Sequence, residues 1–338
     1  MEMKRSVLIV CMMVLLCLTA CGSKAEQPAA EPAPPVVEQA VLPEPLSPLE
    51  ETAALLQNVT PGPTVNSVGG EWLILGLARS DLEVDPAYYE TYYKNVEDYL
   101  TQCGGVLHER KYSEYSRVIL ALTAIGKDPT NVAGFDLTKS LSNFDQTCFQ
   151  GINGPMFALI ALDSGGYELP TADEGVTQAT KDMYLDLLLE KQLENGGWCL
   201  TGDQMETDMT SMALQALSGY RDREPVAQAV ERGLEALSAA QNADGSFATN
   251  DGTSCESVAQ AIVALAELGI PLDDPRFVKD GRTLMDRLMD YRMPDGGFCH
   301  LIGEETNQMA TEQAFYAMVA AQRLEEGKTG LYDMGDVG

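Results

Sequence analysis

"QLENGGWCLTGDQMETDMTSMALQAL", residues 192–217, joins two unlike halves. The first half ends an amphipathic segment in Gln-x-x-x-Gly-Gly-Trp; the second opens an Ala/Leu-rich run behind an acid, Asp208. The first half recurs as Gln241-Asn-Ala-Asp244-Gly245-Ser246-Phe247 and as Arg292-Met-Pro-Asp295-Gly296-Gly297-Phe298, each time ahead of another Ala/Leu run. Gln102-Cys-Gly-Gly105 and Gln150-Gly-Ile-Asn153-Gly154 are degenerate copies. The physics of such a motif is structural. A glycine ends a helix by tolerating left-handed dihedrals, the preceding Gln or Arg is placed to bond nearby backbone, and the aromatic closes the turn. Trp198, Phe247 and Phe298 therefore read as turn anchors.

The Ala/Leu runs organise the chain. "SRVILALTAIG", "GPMFALIALDSG", "TDMTSMALQALSGY", "CESVAQAIVALAELG" and "TEQAFYAMVAAQRL" align on Leu122, Leu162, Leu217, Leu265 and Ala321, with a weaker copy, "GEWLILGLARSD", at Leu77. Intervals of about 40 to 56 residues suit tandem helical hairpins. Each run follows an amphipathic segment: 49–57, 88–102, 132–148, 180–192, 225–241 and 276–292. In the last but one of these, Val226, Val230, Leu234 and Leu237 keep helical spacing behind Pro225. Small residues recur in register within the runs: Ala158, Ala213, Ala261 and Ala317 in one column, and Gly76, Ala121, Ala161, Ala216, Ala264 and Ala320 in another. Close helix approach needs such residues. The pattern predicts an all-α fold, an (α/α)6 toroid over 49–338 with the runs inside and the amphipathic helices outside. An open superhelix of six hairpins is the alternative.

The Gln-x-x-x-Gly-x-Trp/Phe repeat resembles that of the prenyltransferase and squalene-oxidase family, in the terpenoid-cyclase/protein-prenyltransferase superfamily, specifically over 180–325 and more weakly over 70–165. The resemblance implies the toroid, but the superfamily's reactive sets do not carry over. Asp-x-Asp-Asp is absent, Asp273-Asp274 lie between prolines as in a turn, and no Asp-Asp-x-x-Asp is present to hold magnesium. The zinc set of the prenyltransferases needs an Asp, a Cys and a His, and Thr311-Glu312-Gln313 stands where that family supplies the histidine. Asp251, Cys255 and His300 follow no zinc spacing, so no metal or other cofactor is expected and His300 reads as a solvated loop residue. Cys103-Gly-Gly-Val lacks the thioester motif. "TDMTSMALQAL" is similar to a run of corrinoid carriers, which keeps a corrinoid ligand in view.

One polar column asks for explanation. Asp208, Glu256 and Glu312 align near the starts of successive inner helices, with Asn153 and Ser113 at earlier equivalents and Glu114 adjacent. Capping accounts for acids in a first turn, and Thr253-Ser-Cys-Glu256 fits a capping box. The functional alternative makes Glu114, Asn153, Asp208, Glu256 and Glu312 a ring of ligand-binding groups at a cavity mouth. At its sharpest, Asp208, Glu256 or Glu312 would be catalytic carboxylates spaced for glycoside hydrolysis.

The N-terminus has its own signals. Lys4 and Arg5 precede an apolar run from Val7 to about Leu18, then Leu18-Thr19-Ala20-Cys21. This is an export signal over 1–21, and it resembles the lipobox of bacterial lipoproteins, in which Cys21 carries the lipid. Residues 22–48, rich in Pro, Ala, Glu and Val, read as a flexible linker. The expected location is therefore the outer face of a cell membrane, lipid-anchored. A net charge of −29 repels phosphate backbones, which excludes nucleic acid as a partner. Cys103, Cys148, Cys199, Cys255 and Cys299 form no disulfide framework by spacing. The sequence thus points to a non-catalytic module binding a hydrophobic, terpenoid-like or corrinoid ligand or a protein partner. A cyclase-like or carbohydrate-processing enzyme is the alternative.

Overall fold

The computed structural model describes residues 45–249 and 252–337. The export signal, Cys21, most of the linker and Asp251 lie outside the described residues. The Ser47 hydroxyl accepts from the Glu50 amide and the Glu50 carboxylate from the Ser47 amide, closing a capping box. That box starts α1 (Pro48–Val59) one residue earlier than the linker boundary expected from composition.

The six Ala/Leu runs form six inner helices: α2 (Trp72–Arg79), α4 (Ser113–Ala124), α6 (Asn153–Ser164), α8 (Thr207–Leu217), α10 (Cys255–Glu267) and α12 (Gln308–Glu325). Each packs on the next in chain order, and α12 packs on α2. The ring is closed, so the open superhelix is excluded. The small-residue columns explain the approach: Ala158, Ala213, Ala261, Ala317, Ala121, Ala161, Ala264 and Ala320 are all buried at the helix contacts. At Gly76 a Cβ would lie 2.8 Å from the Phe315 ring, so α2 and α12 close the ring at a distance only glycine allows.

Outside this ring stand α3 (Pro86–Cys103), α7 (Lys181–Glu190), α9 (Glu224–Ala240) and the short α11 (Leu284–Met289), together with α1. α7 leans on α6, α9 on α8, α11 on α10, and α1 on α12. Two expected outer helices are cut down. Over 132–148 there is a bridge between Val132 and Phe135, a 3-10 turn at Thr138–Ser142 and one helical turn, α5 (Phe144–Thr147). Ala133 and Gly134 both sit at positive φ, and the Asp136 carboxylate accepts from the Thr138 amide and hydroxyl, so side chains capture the backbone that a helix would need. Over 276–292 the left-handed pair Asp280-Gly281 turns the chain before α11 begins.

The repeated loop motif works as a clamp between neighbouring outer elements. Gln192 Nε2 donates to Gly196 O at 2.7 Å within its own turn and to Ala229 O of α9 at 2.8 Å. Gln241 does the same to Gly245 O and Phe277 O. In the last copy Arg292 pairs with Glu51 of α1, and Thr52 Oγ1 donates to Gly296 O at 2.8 Å. Trp198 is fully buried, its indole donates to Leu188 O at 2.8 Å, and its amide donates to Thr210 Oγ1 of α8 at 2.9 Å. Phe298 repeats the amide bond with Thr311 Oγ1 of α12 at 2.9 Å. These aromatics are turn anchors, as expected.

The α2–α12 junction also carries charge. Glu71 and Glu312 are each 1 % exposed. Arg117 Nε donates to Glu71 Oε2 at 3.4 Å, while Glu312 Oε1 accepts from the Gly69 amide at 2.7 Å and from Gln308 Nε2 at 3.0 Å. Glu71 Oε1 and Glu312 Oε2 have no partner among the described residues. Burial pushes both carboxyls up to about 7, against the opposing pull of Arg117 on Glu71 and of the Gly69 amide on Glu312.

The opposite end of the ring is closed by the chain after α12. Asp336 takes Arg79 Nη1 and Arg323 Nη2, each at 2.6 Å, and Met334 N donates to Ser164 O at 3.1 Å. Burial works against the ionised Asp336, but the hydrogen bonds from Arg79 and Arg323 outweigh it and hold its carboxyl well below the usual range. Glu267 of α10 accepts from the Leu331 amide at 2.6 Å, and burial pushes it up to about 7.

Two predictions follow from this packing. Gly196 (φ +91°) and Gly202 (φ +90°) share a left-handed backbone, but a Cβ at Gly196 would meet Arg232 O at 2.5 Å, whereas one at Gly202 meets nothing within 4 Å. Gly202→Ala should cost about 1–2 kcal/mol in denaturant unfolding, and Gly196→Ala at least about 1 kcal/mol more; equal costs would rule out the close approach. Glu71, Glu267 and Glu312 have folded-state values above their ordinary one, so their contribution is fully present below about pH 4.5 and is lost as pH rises through about 7. Glu312→Gln should flatten that fall and raise Tm at pH 8 by at least about 3 °C, read by calorimetry from pH 4 to 9.

Candidate functional site

α8, α10 and α12 start side by side at one end of the ring. The cap of α10 is Ser254, whose hydroxyl accepts from the Ser257 amide at 3.2 Å and lies 2.9 Å from the Ser257 hydroxyl. This corrects the capping box expected from Thr253: the third residue of the helix is Ser257, not Glu256. Glu256 is thereby spared a capping role. Its Oε2 accepts from His300 Nδ1 at 2.7 Å, with the carboxylate 10 % and the imidazole 37 % exposed. His300 is therefore a paired wall of the site, which corrects its reading as a solvated loop residue. With Nδ1 donating, Nε2 remains for a ligand.

Asp208 occupies the same second position of α8. Its Oδ1 is buried and has no hydrogen-bond partner among the described residues. Burial pushes its carboxyl above the ordinary carboxylate range; a Ser257 hydrogen bond opposes the rise, the charge of Glu206 adds to it and that of His300 opposes it. Asp208, Glu256 and His300 line one cleft of about 430 Å³ with Asn307, Met309 and Gln313. A second cleft of about 450 Å³, containing Asp208, Glu206 and Ser257, adjoins it.

The other members of the expected ring are elsewhere. Thr311 bonds the Phe298 amide as Thr210 bonds that of Trp198, so Glu312 corresponds to Ser211, not to Asp208, and lies one turn deeper. α12 is capped by Asn307, which leaves Met309 at the position of Asp208 and Glu256. Glu312 is sealed under Gly69 at the α2–α12 junction. Glu114 and Asn153 start α4 and α6, half-buried, and line neither cleft. Of the five expected ligand-binding residues, the structure brings only Asp208 and Glu256 together. His300 and Gln313 join them unforeseen; the available hint was that His300 follows Phe298 by two residues in the third copy of the motif.

Below the clefts the ring is occupied by side chains. Trp72 of α2 and Phe157 of α6 belong to helices separated by α4, yet their rings lie 5.7 Å apart, so they meet across the middle. Tyr316 of α12 lies 5.7 Å from Trp72 on its other side. A ligand at this end therefore meets a polar floor first and aromatic surface only beneath it. Chemically, the cleft offers a desolvated carboxyl able to hold a proton, a second carboxyl backed by imidazole, and side-chain amides.

No family model matches the sequence, and no curated protein matches it. Solved structures do match in shape. The type II terpene cyclase MstE from Scytonema, in complex with geranylgeranyl dihydroxybenzoate, is 11 % identical with a TM-score of 0.55, over 82 % of this chain and 97 % of that one. Unsaturated glucuronyl hydrolase from Bacillus sp. GL1 is 13 % identical with a TM-score of 0.54, over 85 % of this chain and 97 % of that one. A UGL variant with dGlcA-Glc-Rha-Glc is 12 % identical with a TM-score of 0.57 over the same shares. At such identity the likeness speaks to architecture alone. The chain has the α/α-toroid fold found in a terpene cyclase and in a glycan hydrolase.

Proposed function

We propose that the protein is a carbohydrate-processing hydrolase acting at the rim cleft, with Asp208 as proton donor. The observation that carries this reading is the buried, unpartnered Oδ1 of Asp208 in an open polar cleft whose other wall is the Glu256–His300 pair. Desolvation favours the protonated acid on Asp208, which a general acid needs near neutral pH. Glu256, bonded to His300, is the partner that takes the proton of the attacking water. In the reaction the glycosidic C–O bond breaks as Asp208 gives its proton to the leaving oxygen. Water adds to the sugar carbon and yields its proton to Glu256, which releases it to solvent as solvent returns one to Asp208.

The charge of the site narrows the substrate. Among the described residues the clefts present Asp208, Glu206 and Glu256 and no Lys or Arg, in a chain of net charge −29. Neutral or amino-sugar residues suit that field better than uronates. The hydrophobic ligand expected from the sequence, terpenoid or corrinoid, is less well served, because Trp72, Phe157 and Tyr316 occupy the middle of the ring. We also propose that the enzyme is exported and held at a membrane through lipid on Cys21, which would set it against polymers outside the cytoplasm.

Mass spectrometry of products from neutral and amino-sugar oligosaccharides tests the activity. Wild type should cleave at least one, and Asp208→Asn should lower kcat by about 10²–10⁴ while binding persists. Absence of cleavage by wild type, or full activity in the variant, would sink the proposal. For the anchor, Cys21→Ser should abolish incorporation of labelled palmitate and release the protein from the membrane fraction; an unchanged label refutes lipidation at Cys21.

A further inference from the structure

Gln313, which lines the cleft, ends a chain of amides that runs through Gln260 to Gln215 in the interior of the ring, and each amide has one orientation that its neighbours allow. Gln215 Nε2 of α8 lies 3.1 Å from the main-chain oxygen of Gln260 and 2.9 Å from the Gln260 side-chain oxygen. A main-chain carbonyl can only accept, so the Gln215 atom facing it must be the NH2 group. The remaining Gln215 oxygen then accepts from the Tyr332 hydroxyl at 3.2 Å. The same NH2 group requires an oxygen from Gln260, so the Gln260 NH2 points the other way. It donates to the Tyr316 hydroxyl at 2.6 Å and to Gln313 Oε1 at 3.1 Å. With its oxygen so engaged, Gln313 keeps its NH2 group for the cleft it lines, where that group has no partner among the described residues. A carbonyl on α10 thus dictates, through three glutamines, that the floor of the cleft is a donor.

We propose that Gln313 is a specificity-determining donor that selects N-acylated amino-sugar residues through their acyl carbonyl oxygen. The inference rests on the carbohydrate reading of the same cleft. An acetamido group presents three features in a small space: a carbonyl oxygen, an N–H and a methyl. The cleft presents their complements: the Gln313 NH2, the carboxylates of Asp208 and Glu256, and the thioether side chain of Met309, which is 48 % exposed. A free amino sugar has no acyl carbonyl, so its ammonium, though drawn to the carboxylates, leaves the Gln313 NH2 group without an acceptor. A plain hydroxyl is a weaker acceptor than an amide carbonyl and leaves Met309 uncovered. The amide chain does not rotate to accommodate either: turning Gln313 alone would set its NH2 group against that of Gln260, and turning Gln260 and Gln215 with it would set an amide oxygen against the Gln260 main-chain carbonyl.

Calorimetric titration of the full-length, detergent-solubilised protein with tri-N-acetylchitotriose, its de-N-acetylated counterpart and cellotriose tests the proposal. At about 1 M salt, which screens the pull of the carboxylates on an ammonium, wild type should bind the acetylated trimer at least about tenfold more tightly than the other two, the effect expected of one well-placed hydrogen bond with its partner group. Gln313→Glu, which keeps the shape but offers an acceptor, and Gln313→Leu should both reduce the preference to within about threefold, chiefly by weakening the acetylated trimer. Melting temperatures verify that the variants fold, and Gln313→Asn, which keeps the donor, should retain part of the preference. If wild type binds all three trimers alike, or either of the first two variants keeps the tenfold preference, the role of Gln313 is refuted and the carbohydrate reading stands. If wild type binds none of the trimers, both fall together.

Discussion

The closure of the ring at α2 and α12 is the constraint on which the rest depends. Five of the six inner contacts join helices that follow one another in sequence, and the sixth joins the first to the last. That contact is set by Gly76 against Phe315, where any side chain on residue 76 would push the helices apart. It also gathers the buried carboxyls of Glu71 and Glu312 and the Arg79–Asp336–Arg323 clasp. A ring cannot be loosened at one joint without altering the spacing at the others, because close-packed interiors transmit strain. The width of the rim cleft, and so the placement of Asp208 relative to Glu256, is inherited from a contact on another part of the ring.

The two ends of the toroid are treated differently. One is covered by the chain after α12, whose main chain and Asp336 satisfy Arg79, Arg323 and Glu267. The other is left open, and there the first turns of α8 and α10 expose acids to a ligand. Acids in a first helical turn are favoured by the helix dipole whether or not they react. What separates Asp208 and Glu256 from ordinary first-turn acids is the use of their oxygens. Glu256 is bonded to an imidazole from another repeat, and one oxygen of Asp208 is bonded to nothing among the described residues.

The architecture was legible because it depends on repetition. Columns of alanine and the Gln-x-x-x-Gly-aromatic turn recur in register, and register is what a closed ring of similar helices needs. The site was only partly legible, because it depends on departures from the repeat. The start of α12 is set by the Asn307 cap and the Thr311 bond to the Phe298 amide, neither of which is visible in an alignment on Ala321, and these put Glu312 one turn deeper than that alignment implies. Ser254 and not Thr253 caps α10 because its hydroxyl is shared with Ser257, a choice between adjacent hydroxyl residues that composition leaves open. His300 sits in a loop, and its partner comes from a helix 44 positions earlier. The segment 132–148 has helical periodicity but enough Asp, Asn, Ser and Gly to satisfy its own backbone in turns.

The seat of α1 has a consequence for how the molecule is made. This helix is among the first parts of the toroid to leave the ribosome, yet it leans on α12, and Thr52 bonds a carbonyl 244 residues downstream. Every later hairpin can rest on its predecessor as it emerges. The first must wait, its apolar face uncovered, until the last has been synthesised. Long-range pairings of this kind slow folding and prolong exposure of unfinished surfaces. For this chain the vulnerable interval is therefore the whole span of its synthesis, and the same helix that begins the ring is the last to find its place.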